Sequence, residues 1–157
     1  MKKTFLLIMA VVLTVSVNAQ RGRTPCPDPV EANYNRVMSE TFAREFTDCP
    51  VIIVGEFFAN GVPRGFNSSA NSPRRFRNKH FFQLVSVGGS GSAMPLTGEI
   101  AGDLFVIDRE QAETVLNLNR GDRVRLTGVT VIHRPALGAG MVANIFFVVQ
   151  EVEVLTE

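Results

Sequence analysis

The residues best placed to do chemistry lie between positions 64 and 82. Arg64-Gly65-Phe66 is followed by Arg74-Arg75-Phe76-Arg77-Asn78-Lys79-His80-Phe81-Phe82. Five formal positive charges occur there with no acid among them, and phenylalanines are interleaved with the cations. Such a mix suits a single-stranded polyanion, since cations take the phosphates and aromatic faces take the bases. The same arginines would bind a carboxylated or phosphorylated glycan through bidentate hydrogen bonds. Arg64, Phe66, Arg74, Arg75, Phe76, Arg77 and Lys79 are therefore the candidate ligand-binding residues. A plainer reading stands beside this one. At least one of Phe81 and Phe82 belongs to a core, and the arginines serve as a solvated loop.

No other cluster carries a recognisable reaction. His80 and His133 are the only histidines, and neither belongs to an H-x-H, H-E-x-x-H or Cys/His pattern, so no metal site is expected. Gly88-Gly89-Ser90-Gly91 lacks the Lys-Ser/Thr of a phosphate loop. Ser86, Ser90 and Ser92 lack a G-x-S-x-G elbow. Glu56, Asp103 and Asp108 stand near strand ends, where acids cap or solvate. The expectation is a non-enzyme with no catalytic residues and no cofactor.

Positions 1–19 locate the protein. Lys2 and Lys3 precede an apolar run from Phe5 to Leu13, and Val17-Asn18-Ala19 supplies small residues before Gln20. These are the three parts of a secretory signal peptide. The run is shorter than the roughly 20 apolar residues that span a bilayer. The expected mature chain begins at Gln20, has about 138 residues, and is periplasmic or secreted. Its length suits a single domain. The net charge of +1 includes Lys2 and Lys3, so their loss leaves about −1 and no global basic field. Lys79 is then the only lysine, which leaves arginine to make planar, bidentate contacts. Cys26 and Cys49 are the only cysteines and lie outside any C-x-x-C motif. In an oxidising compartment such a pair reads as one structural disulfide.

These residues need a scaffold. Pro25, Pro27 and Pro29 mark an extended leader. Val30, Tyr34, Val37, Met38, Phe42 and Phe46 recur at spacings of three and four, which predicts an amphipathic helix over Val30–Phe46. Strands are predicted at 50–60, 80–87, 103–107, 123–132 and 145–155 from β-branched, aromatic and alternating residues. Positions 88–102 read as a flexible connector. A helix is predicted over Arg109–Leu118, with Asp108 as its N-cap. Gly55 inside the first strand marks a bend. The loop from Arg134 to Asn144 is unusually apolar, with Leu137 and Met141, and either packs on itself or offers a partner contact.

Five strands with a helix between the third and fourth resemble an OB-fold, a mainly β, five-stranded Greek-key barrel. The stretch Leu118-Asn-Arg-Gly-Asp-Arg-Val-Arg-Leu-Thr-Gly128 is similar to the approach to the fourth strand common in such barrels. The resemblance covers residues 50–155 and is to OB-folds of the small exported bacterial, or tRNA-anticodon-binding-like, kind. With the signal pattern and the cysteine pair, the expected organisation is a signal peptide at 1–19, a leader and disulfide-tethered helix at 20–49, and a barrel at 50–157. The resemblance also implies contacts through the strand 1–2 loop, the loop at 134–144 and the face of strands two and three. The expected role is a non-catalytic binding module of the bacterial envelope, taking a protein partner or an anionic polymer, glycan or nucleic acid. Export argues against nucleic acid. The alternative is an accessory subunit of an envelope complex, docking through the loop at 134–144.

Overall fold

The computed structural model describes residues 26, 28–47, 49–67, 71–93, 100–134 and 143–156. The expected signal segment at 1–19, Leu137 and Met141 lie outside the described residues. Among the described residues no helix is long and apolar enough to cross a membrane.

Five long strands form the frame: β2 (Val51–Asn60), β3 (Lys79–Val85), β6 (Asp103–Asp108), β7 (Arg123–His133) and β8 (Asn144–Leu155). They pair in the order β2-β3-β6-β8-β7, and β7 returns to pair with β2, which closes the barrel. All these pairs are antiparallel except β6–β8, which is parallel. This is the OB-fold topology. The first half of β2 pairs with β7 and the second half with β3, so one long strand serves two sheet regions. Strict alternation of buried and half-buried residues along β2 and β7 fixes which side chains face inward. At Gly128 a side chain would collide with the Val148 carbonyl, and the β7–β8 register shifts at that point.

The barrel interior holds Phe57, Phe82, Phe105, Leu126 and Phe147, all at most 4% exposed. Phe105 contacts Phe82 and Phe147 at centroid distances of 5.5 and 5.6 Å. Burying each such ring contributes about 1.5–3 kcal/mol. Ala112 and Val115 join this core from the helical link between β6 and β7, and Tyr34 and Val37 join it from the N-terminal segment. Tyr34 donates its hydroxyl to the Leu84 carbonyl at 2.9 Å. A Cβ at Gly55 would come within 3.0 Å of the Tyr34 ring and of the Val85 carbonyl, so glycine is what admits the plug. Burial drives the Tyr34 pKa far upward, with the nearby Asp103 charge acting the same way.

Three local expectations change. The periodic stretch Val30–Phe46 is not one helix. Val30–Glu31 forms β1, parallel to the start of β2. Helix α1 covers Tyr34–Val37, capped by the Asn33 side chain, and a 3-10 turn covers Ala43–Phe46. Val30 is 58% and Phe42 42% exposed, so the apparent apolar stripe has no surface of matching length to bury it. The link after β6 is likewise divided into a 3-10 turn at Arg109–Gln111 and α2 at Glu113–Leu116. Asp108 makes no side-chain cap there and pairs with Lys79 instead. Within the glycine-rich connector, β4 (Ser92–Ala93) pairs with β5 (Ile100–Ala101).

Cys26 and Cys49 form the disulfide, with Cα atoms 5.2 Å apart. The bridge closes a loop 23 residues long that contains β1 and the Tyr34 plug. Its reduction is expected to lower unfolding stability by about 3 kcal/mol, read from urea melts with and without reductant. Thr130 is 1% exposed and its hydroxyl has no hydrogen-bond partner among the described residues. Thr130→Val removes that buried orphan and should raise stability by about 1 kcal/mol in the same melts.

Candidate functional site

The loop that joins β2 to β3 carries the candidate residues, and the barrel wall determines its shape. Gly61 starts it with φ +81° and donates its N–H to the Phe81 carbonyl at 2.7 Å. The described part of the loop lies across the outer face of β3, β6 and β8. Phe76 is 2% exposed and meets Phe146 and Phe81 edge-on, at centroid distances of 5.4 and 6.4 Å. Phe66 meets Phe146 edge-on at 6.3 Å. Val106, Leu104, Val131 and Val148 complete this second, outer core. Polar ties reinforce it: Asn144 Nδ2 donates to the Asn71 carbonyl at 3.0 Å. Buried Gln83 donates to the Gly61 carbonyl and accepts from the Gly102 N–H.

This arrangement divides the predicted site residues. Phe76 and half-buried Phe66 are structural packing in this conformation and do not offer open faces for stacking. Lys79 is ion-paired with Asp108 across the β3–β6 ladder, so part of its charge is already answered. Arg64 is exposed on a turn of its own. Arg74, Arg75 and Arg77 are brought together on a 3-10 turn, Arg74–Phe76, and its C-cap. All three are exposed, and none makes an ion pair among the described residues. Arg75 places its guanidinium 5.4 Å from the Phe76 ring centroid. The buried ring thus fixes the short turn from below while three guanidinium groups face solvent. Such an array can take carboxylate or phosphate oxygens in bidentate fashion.

His80 and Arg109 were not expected to act together. His80 Nε2 lies 3.0 Å from Asn60 Oδ1. Partial burial, and then the neighbouring Arg109 charge, push the His80 pKa below its ordinary value. His133 is on β7 opposite Asn144. Among the described residues, no group of three or more His, Cys, Asp or Glu side chains could hold a metal ion.

No family model matches this sequence, and no curated protein matches it. Solved structures are similar in shape. One is "OBody NL8 bound to hen egg-white lysozyme", at 12% identity and a TM-score of 0.41, covering 69% of this chain and 96% of that one. A second is the N-terminal domain of PriB protein from Thermoanaerobacter tencongensis, at 16% identity and 0.39, covering 69% and 97%. A third is Entamoeba histolytica asparaginyl-tRNA synthetase, at 18% and 0.44, covering 82% of this chain and 24% of that one.

Two outcomes follow from this geometry. Phe76→Ala should cost about 3–5 kcal/mol, whereas Arg74→Ala, Arg75→Ala and Arg77→Ala should each stay within about 0.5 kcal/mol of the parent; denaturant melts separate the two classes. His80 has a lower pKa folded than unfolded, so the unfolded chain takes up its proton first. Stability should be insensitive to His80 well above pH 6.5 and should fall as pH drops through about 6.5. His80→Gln should flatten that part of a stability-versus-pH curve.

Proposed function

We propose that this chain is an exported, non-catalytic binding module that docks an acidic partner on the guanidinium ridge of Arg74, Arg75 and Arg77. The observation that carries the reading is the pairing of a buried anchor, Phe76, with three exposed arginines that have no ion-pair partner among the described residues. A short turn held from below positions its charges before the partner arrives, which lowers the ordering cost of binding. Arg64 extends the positive surface along the same loop, and Lys79, ion-paired with Asp108, borders it. Burial of Phe76, and the packing of half-buried Phe66 against Phe146, favour a ligand recognised by its charges over one recognised by stacked bases. An acidic glycan meets that description. The disulfide and the amino-terminal signal pattern agree with an oxidising compartment outside the cytoplasm.

The test is titration of the purified, oxidised protein with a labelled acidic oligosaccharide, with a single-stranded oligonucleotide of equal charge in parallel. Binding of the oligosaccharide should weaken at least about ten-fold between roughly 50 and 200 mM salt. It should disappear in the Arg74/Arg75/Arg77→Ala variant. Unchanged affinity in that variant, or no binding at low salt, would overturn the reading. Stronger binding of the oligonucleotide would show that the aromatic faces are available after all.

A further inference from the structure

The geometry points to a second, separate binding site, for a small carboxylate with an apolar body, where the β2–β3 turn meets the helical link. An open depression of about 480 Å³ lies there, within the size range of small-molecule sites. Val62 contributes from the turn, Lys79, His80 and Phe81 from the start of β3, and Arg109 and Leu116 from the link. Two of these six side chains, Lys79 and Arg109, are cations that can meet an oxyanion, and no acid lines the depression. Asp108 is ion-paired with Lys79, which leaves Arg109 as the cation open to a ligand in the depression. Apart from His80, the remaining lining is apolar. Leu116 is 55% exposed, although Val115 beside it is fully buried in the barrel. A large aliphatic side chain left open next to a cationic rim matches a ligand with a charged head and a hydrocarbon tail.

The arrangement assigns the parts. Arg109, in the 3-10 turn that follows β6, supplies the charge-assisted hydrogen bonds to the carboxylate. His80, its Nε2–H donated to Asn60 Oδ1, forms the adjoining wall from β3. Val62 and Leu116 receive the tail. Arg109, Val62 and Leu116 lie outside the ridge of Arg74, Arg75 and Arg77, so substitutions at Arg109 and on the ridge test the two sites separately.

Octanoate is the probe, followed by amide chemical shifts of the isotope-labelled protein, with octanamide as its neutral counterpart. Octanoate should shift the Gly61, Val62, His80 and Leu116 resonances saturably. Octanamide should bind at least ten-fold more weakly. Arg109→Gln should weaken octanoate by a similar factor while keeping a dispersed, folded spectrum, and Arg74/Arg75/Arg77→Ala should leave octanoate binding unchanged. Equal affinity for octanoate and octanamide would overturn the site as a carboxylate receptor. So would shifts confined to residues 74–77, or no saturable shift at millimolar probe.

Discussion

Consecutive phenylalanines on one strand tie the two halves of this protein together. Phe146 and Phe147 point to opposite faces of β8, and both are fully buried. Phe147 enters the barrel beside Phe105, while Phe146 receives Phe66, Phe76 and Phe81 on the outer wall. A strand buried on one face needs only alternating apolar residues. Here the outer face is apolar too, and the β2–β3 loop covers it. Phe81 and Phe82 repeat the arrangement on β3, one ring outside and one inside.

This double-sided packing decides which part of the loop is buried and which stays exposed. The outer face of β3 and β6 is the usual ligand platform of an OB-fold, and here the chain's own rings occupy it. What the loop leaves exposed lies away from the sheet, where Arg74, Arg75 and Arg77 are. Charge and anchoring are thereby separated: rings bury, guanidinium groups display. The inner barrel serves the same end. The Tyr34 plug, admitted by Gly55 and tethered through the disulfide, steadies β2 and β3, the strands that carry both ends of the loop.

Much of the barrel was legible in the sequence because its strands alternate or run apolar over whole lengths. The predicted strand at 123–132 differs from the observed Arg123–His133 by one residue, and the link carrying Val115 falls between the expected strands. The N-terminal helix failed because spacings of three and four describe periodicity and not the size of the surface available to bury it. The loop was legible as charge and aromatic content, but its division of labour was not. Whether Phe76 stacks on a ligand or on Phe146 depends on a contact between residues 70 positions apart, which no local pattern encodes. The doubled phenylalanines at 81–82 and 146–147 were the available signal, since adjacent large apolar residues in a strand imply burial on both faces. The depression beside Leu116 left no trace in the sequence, because the turn and the helical link that form it are brought together only by the β2–β3 and β3–β6 ladders.

Amide hydrogen exchange across the β2–β3 loop tests the central claim most directly. If the rings clasp the loop to the barrel, the hydrogen-bonded amides of Phe66 and Phe76 should exchange far more slowly than in an unstructured peptide. That protection should be lost in Phe146→Leu while the strands stay protected. Exchange of these amides at peptide rates in the parent protein, with the barrel intact, would contradict the account: the loop would be unanchored and its arginines would not form a fixed ridge.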